Sequence, residues 1–141
     1  MENILVAIDG KHGAWEALSR ACSLARRVHV QLSVLLVIPS PARNLSYSDA
    51  QLEATVRERL ELLLEAIKAE GIRINYFVTE GVYEEEVIAF VHNNRVSLLV
   101  YEVNDGDARG ADRDSVSLRA IRHRIACRVE VVAPKKHTFN G

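Results

Sequence analysis

Four carboxylates, Asp105, Asp107, Asp112 and Asp114, crowd the segment NDGDARGADRD directly behind the apolar run SLLVYEV at 97–103. A segment so rich in carboxylate oxygen can hold a hard cation or repel an anion. Asp105-x-Asp107 with Asp112 has a partial likeness to a calcium loop. Val116, however, stands at the twelfth position, where a bidentate glutamate closes such loops, and Arg109 and Arg113 supply countercharge. The segment therefore reads as a solvated loop over 104–114, with no metal site. In an open α/β sheet, the passage from strand to helix is also where glycines and a helix N-terminus cradle phosphate. Here each close contact between an aspartate and a polyphosphate would cost about 1–4 kcal/mol. Whether the loop covers such a crevice or only borders it stays open.

Other chemistry-bearing residues are scattered. Asp9 and Gly10 end the first apolar run, with Lys11 and His12 behind them; Asp9 can face a ligand or cap the helix that follows. The histidines show no His-x-x-x-His or Cys/His spacing, and no Ser/His/Asp set can be assembled, so no catalytic residue is named. Cys22 and Cys127 form neither a CxxC nor a metal-ligand pattern and read as reduced, packed thiols. Arg119, Arg122, His123, Arg124, Arg128, Lys135 and Lys136 make a local basic run without an aromatic platform, which reads as a solvated helix pairing with carboxylates and not as a nucleic-acid surface. Trp15 reads as packing.

The elements that must position these groups alternate along the chain. Ile4–Ile8 and Val30–Ile38 are continuous apolar runs, as strands buried on both faces are. Ile72–Val78 is a weaker strand interrupted by Arg73 and Asn75. Ser97–Val103 and Val129–Val132 complete the set. Between them, Ala14, Ala17, Leu18, Ala21, Leu24, Ala25 and Val28 mark one face of a helix. Ser48 and Gln51 form a capping box for a long helix whose inner face is marked by Leu52, Val56, Leu60, Leu63, Leu64 and Ile67 and which Gly71 closes. A third helix runs from Glu84 to Asn94. A last helix begins at Asp114 or Ser115 and buries Val116, Ala120, Ile121 and Ile125. Alternating strands and helices predict a single doubly wound α/β domain: a parallel sheet with helices on both faces. It occupies residues 1–134, and 135–141 is a C-terminal tail.

With 141 residues, 48% hydrophobic, 26% charged and a net charge of -1, the chain can bury roughly two-thirds of its unfolded surface. It carries no global field that would favour nucleic acid. No apolar run reaches the roughly 20 residues needed to span a bilayer, and MENILVAIDG lacks a basic leader; a cytoplasmic location is the expectation.

The opening NILVAIDG, the segment EGVYEEEVIAFV and the closing SVSLRAIRHRIACRVEVVAP resemble the universal stress protein family. The resemblance covers the chain to about residue 134. It implies a five-stranded parallel sheet in the order 3-2-1-4-5, usually in a dimer. ATP-binding members carry Gly-x-x-Gly, nine residues, then Gly-Ser or Gly-Thr. On that pattern Glu102 and Asp105 fall at the first two glycines and Asp114-Ser115 at the last pair, with the intervening loop one residue short; only Ser115 survives. Gly106 and Gly110 have the wrong spacing. Other elements of the family's site are present: Asp9 matches the carboxylate that contacts the nucleoside, and Val37 and Ile38 match the apolar backbone edge beside the adenine. The candidate crevice is therefore Asp9, Gly10, Val37, Ile38, Glu102, Asp105 and Ser115. The resemblance also implies that the last strand, through Val129, Val131 and Val132, makes a homodimer by antiparallel edge pairing. The expectation is a non-catalytic, stress-response regulatory protein without a cofactor, acting as a homodimer on an unidentified protein partner. The alternative is a sensor of ATP or another adenine nucleotide or nucleoside at a divergent crevice.

Overall fold

The computed structural model describes residues 3–10, 13–28, 30–39, 47–103 and 108–133, of which 47–49 and 108–115 are described by their backbone alone. Nine elements alternate: β1 (Asn3–Asp9), α1 (Trp15–Val28), β2 (Gln31–Ile38), α2 (Tyr47–Ala69), β3 (Ile74–Glu80), α3 (Tyr83–Asn93), β4 (Leu98–Glu102), α4 (Ala108–Arg124) and β5 (Arg128–Val132). The five strands form one sheet in the order β3-β2-β1-β4-β5, and every pairing is parallel. Parallel neighbours need crossovers, and each crossover is one of the helices.

Each central strand is apolar on both sides because each side is covered. Ile4, Val6 and Ile8 of β1 point into a cluster with α1 and α2, where Leu18, Leu60 and Leu64 meet them. Leu5 and Ala7 point into a second cluster with Val87, Val91 and Ile121 of α3 and α4. β3, at the sheet edge, instead mixes half-buried and exposed positions and has no fully buried residue, which explains its interrupted hydrophobic pattern. Gly71, with φ +91°, ends α2 as the sequence predicts. Cys22 and Cys127 are free, and burial pushes both thiols up.

Several readings of the sequence need correction. α4 begins at Ala108, not at Asp114 or Ser115, so 108–114 of the supposed acidic loop is helix. The run ARGADR holds two alanines and two arginines, which are strong helix formers. Its poorest residue, Gly110, costs only about 1 kcal/mol, and Asp112 less than that. The phase of α4 is set by fully buried Ile121, which leaves Val116 65% exposed and Ala120 exposed as well. At 100° per residue these two lie about 140° and 100° away from the inward direction. α2 likewise begins at Tyr47, which puts Ser48 inside the first turn and not at the cap, and Leu52 and Val28 turn out exposed on their helices.

α3 and α4 are tied side by side. The Ser117 hydroxyl donates to Glu84 Oε1, Arg124 Nη1 donates to Glu85 Oε2 at 2.7 Å, and His92 Nε2 lies 2.9 Å from the Arg124 carbonyl. Part of the basic run thus serves helix pairing, as expected, though an exposed pair of this kind contributes only about 0–1 kcal/mol.

Candidate functional site

The sheet splits where the strand order reverses. β1 pairs with β2 along its whole length, from Asn3↔Gln31 to Asp9↔Val37, but with β4 only as far as Val6↔Val100. Beyond that point Ala7–Asp9 and Tyr101–Glu102 diverge and open a crevice at the carboxyl ends of the strands. Open α/β sheets bind ligands at this switch point. α1 starts beside it, with its first amides facing the gap.

The chain's own groups use the crevice. Glu102, half-buried at the end of β4, accepts a hydrogen bond from the Ala17 amide at 2.9 Å through Oε1. The Glu16 amide also favours the ionised carboxylate, yet burial outweighs both amides, and the nearby Glu16 charge adds to it, so the Glu102 carboxyl is pushed up. Glu102 is a long-range cap: it supplies from β4 the acceptor that an N-cap side chain would supply locally. On the other face, the Tyr83 hydroxyl, from the first turn of α3, donates to the Ala7 carbonyl at 3.1 Å, and its ring meets Tyr101 edge-on with centroids 6.4 Å apart.

The β2 end is similarly engaged. The Gly10 amide donates to the Val37 carbonyl at 2.9 Å, and the Gly81 amide to the Ile38 carbonyl at 2.9 Å. The two residues matched to the adenine edge thus spend their carbonyls on turns of the fold. Gly10 sits in a tight spot: an added Cβ would lie 3.3 Å from the Val37 carbonyl oxygen and 3.2 Å from Ile38 Cγ2, with Glu53 of α2 just above at 3.7 Å. Trp15, at the start of α1, packs against the first cluster and carries the Arg59 guanidinium 4.5 Å above its ring, a contact that joins α1 to α2.

Of the predicted site residues, the fold brings Asp9, Gly10, Val37 and Ile38 to one end of the sheet, with Glu102 across the gap. Asp9 is half-buried and accepts the Gly13 amide at 3.2 Å through its carbonyl. Ser115 lies in α4, and its side chain is outside the described residues, as are Asp105, Lys11 and His12. Asp105 and Asp107, whose spacing has a partial likeness to a calcium loop, fall there too; among the described residues no cluster of three His, Cys, Asp or Glu could hold a metal. Sequence reasoning missed Tyr83, Glu53 and the Ala17 amide. Only a Glu at a strand end facing a helix start could have signalled the last of these, and that requires knowing that β4 lies beside α1.

At the edge strand, Val129 packs against the second cluster and Val132 against the first, while Val131 is 38% exposed. Glu130 on the opposite face is held by Arg20, whose Nε lies 2.5 Å from Oε2.

The Glu102 arrangement has a pH signature. A carboxyl whose native pKa lies above its ordinary value of 4.5 contributes stability that is present below that value and lost as pH rises through the native pKa. Glu102→Gln removes this proton linkage. The stability advantage of wild type over Glu102→Gln, from denaturant unfolding at a series of pH values, is expected to shrink as pH rises from 4 to 7. A difference independent of pH would contradict the account.

Comparison with known proteins agrees with this architecture. A family model described as the universal stress protein family matches residues 1–131. No curated protein matches. Among solved structures, a universal stress protein UspA from Lactobacillus plantarum is similar at 18% identity and TM-score 0.65, covering 93% of this chain and 97% of that one. The universal stress protein from Archaeoglobus fulgidus in complex with dAMP is similar at 21% identity and TM-score 0.65, covering 93% and 97%. A universal stress protein in complex with cAMP is similar at 19% identity and TM-score 0.64, covering 94% and 96%.

Proposed function

The chain belongs to the universal stress protein family, and from that premise we propose that it is a non-catalytic regulatory member, acting as a homodimer on a protein partner and not binding ATP. The observation that carries this reading is Glu102. Its carboxylate caps the α1 amides at the switch point where a phosphate would otherwise gain a helix N-terminus. A triphosphate entering there meets a negative charge already seated on the donors. The family's ATP signature, with Glu102 and Asp105 in place of its first two glycines, points the same way. The dimer of this reading forms through β5, with Val131 as its exposed apolar contact.

Thermal unfolding with ATP and Mg²⁺ tests it. A ligand at a hundredfold excess over Kd stabilises by about 2.7 kcal/mol. The expected result is an unchanged melting temperature; a saturable rise of several degrees would overturn the reading.

A second reading is favoured by the two solved relatives whose complexes hold dAMP and cAMP: a sensor of an adenine nucleotide or nucleoside, with Asp9 as its recognition carboxylate. It requires that a mononucleotide or nucleoside raise the melting temperature and that Asp9→Ala abolish the rise without unfolding the protein. An unchanged affinity in Asp9→Ala removes Asp9 from the site.

A further inference from the structure

β5 is one edge of the sheet; β3 is the other, and among the described residues only the charge of Glu80, at its very end, protects it. Ile74–Glu80 contains no proline and no lysine, and no residue within it has positive φ. Charged or proline residues, bulges or a covering element normally blunt such an edge. α3 packs over β1 and β2 and leaves Phe77, on its own side of the sheet, 40% exposed; Val78, on the opposite side, is 38% exposed. Between β3 and α3 lies a cleft of about 300 Å³ lined by Leu35, Phe77, Ala89, Phe90 and Asn93. The Phe77 and Phe90 rings meet edge-on in it, with centroids 5.0 Å apart.

From these observations we infer that the β3 edge is a second self-association surface, whose partner is the β3 of another copy in antiparallel register about Phe77. A two-fold axis normal to the sheet keeps each residue's face, so opposed residues must share parity. Centring the seven-residue strand on Phe77 sets Ile74 against Glu80, Asn75 against Thr79, Tyr76 against Val78 and Phe77 against itself. No like charges are opposed, and two of these pairs join aromatic rings to an apolar neighbour, a stabilising combination.

Charge complementarity selects this occupant. Next in the register, Arg73 faces Gly81 of the other copy. Gly81 is the residue over which Glu86 lies: Glu86 Oε2 sits 2.8 Å from where a Gly81 Cβ would be, held by the Thr79 hydroxyl on Oε1 at 2.5 Å. Arg73 is exposed and makes no ion pair among the described residues. Directly opposed residues lie about 4.5–5.5 Å apart, within reach of an arginine, so the pairing places Arg73 beside the other copy's Glu86 twice over. The sheet then runs through ten strands, with Phe77 and Phe90 of both copies in one trough. Such a narrow edge contact is weak and reversible, with a Kd on the order of 100 µM. It is independent of any β5 contact.

Sedimentation velocity of the full chain tests it, in a Val131→Lys background that disables β5. The expected result is a monomer at micromolar concentration that dimerises at several hundred micromolar. Phe77→Lys, Arg73→Glu or Glu86→Lys should each weaken this step about tenfold or more, and combining Arg73→Glu with Glu86→Lys should restore it. Circular dichroism confirms that each variant is folded. A Val131→Lys protein that stays monomeric throughout, leaving the cleft to an extended peptide of another protein, would overturn the inference. So would a charge exchange that restores nothing. If the wild type is itself monomeric at micromolar concentration and dimerises at several hundred micromolar only with Phe77 intact, the β5 dimer fails and the β3 contact stands.

Discussion

Val131→Lys is expected to shift the protein at micromolar concentration from dimer to monomer while leaving its fold and melting temperature nearly unchanged. Val131 lies on the outer strand of the sheet, paired on one side to Tyr101 of β4 and open on the other. It keeps 38% of its surface exposed, whereas Val129 and Val132 are turned toward the two cores. In a symmetric edge-to-edge pairing this side chain meets its counterpart near the two-fold axis. Full burial of a valine is worth about 1.5–3 kcal/mol; with 38% of Val131 left exposed, the pairing gains about 0.5–1 kcal/mol from each copy, and the substitution removes that contribution from both. Two ammonium groups would then face each other across the pairing, at a further cost. A combined loss of about 2 kcal/mol or more weakens association about thirtyfold or more. The monomer tolerates the change because lysine on an exposed edge strand is a common protection against pairing. Light scattering on a size-exclusion column reads the mass. A monomeric wild type, or a Val131→Lys variant that keeps the dimer mass, would reject the β5 interface.

Leu60→Ala is expected to lower the unfolding free energy by about 2–5 kcal/mol, and Leu62→Ala, two residues away on the same helix, by less than about 0.5 kcal/mol. Leu60 is fully buried in the cluster shared by α1, α2 and β1, whereas Leu62 is 68% exposed. Truncating Leu60 removes its transfer free energy and leaves a cavity that Val56 and Leu64, fixed one turn away on either side, fill only in part. Against a total stability of about 5–15 kcal/mol, this is a large fraction, equivalent to a melting temperature lower by about 4–20 °C. Chemical denaturation of both variants checks the pair; equal losses would mean that α2 is rotated relative to the arrangement described here. The comparison bears on the crevice because α2 also places Glu53 over Gly10.

Much of this fold is legible in the residue pattern. Continuous apolar runs in β1 and β2, three-to-four-residue spacing in α1 and α2 and an alternating β3 reproduce the observed strands, three of the four helices and the strand order implied by the family resemblance. These are local signals, set by how a strand or helix buries one or both faces. The start of α4 was not legible, because aspartates and Gly110 look like loop chemistry while the helix is anchored by Ile121, a contact formed only on packing against β1 and β4. The candidate site divides in the same way. Asp9, Gly10, Val37 and Ile38 could be named because strand ends carry sites in such sheets. That Glu102 caps α1, that Tyr83 reaches the Ala7 carbonyl and that the Val37 and Ile38 carbonyls serve the turns were decided by tertiary structure alone. Those partners are brought together across the sheet from distant points in the chain. Residue type and spacing therefore determined which end of the sheet could bind. Only the crossing of β4 beside α1 decided that its amides would already be satisfied, because hydrogen-bond partners so far apart in sequence leave no periodic trace in it.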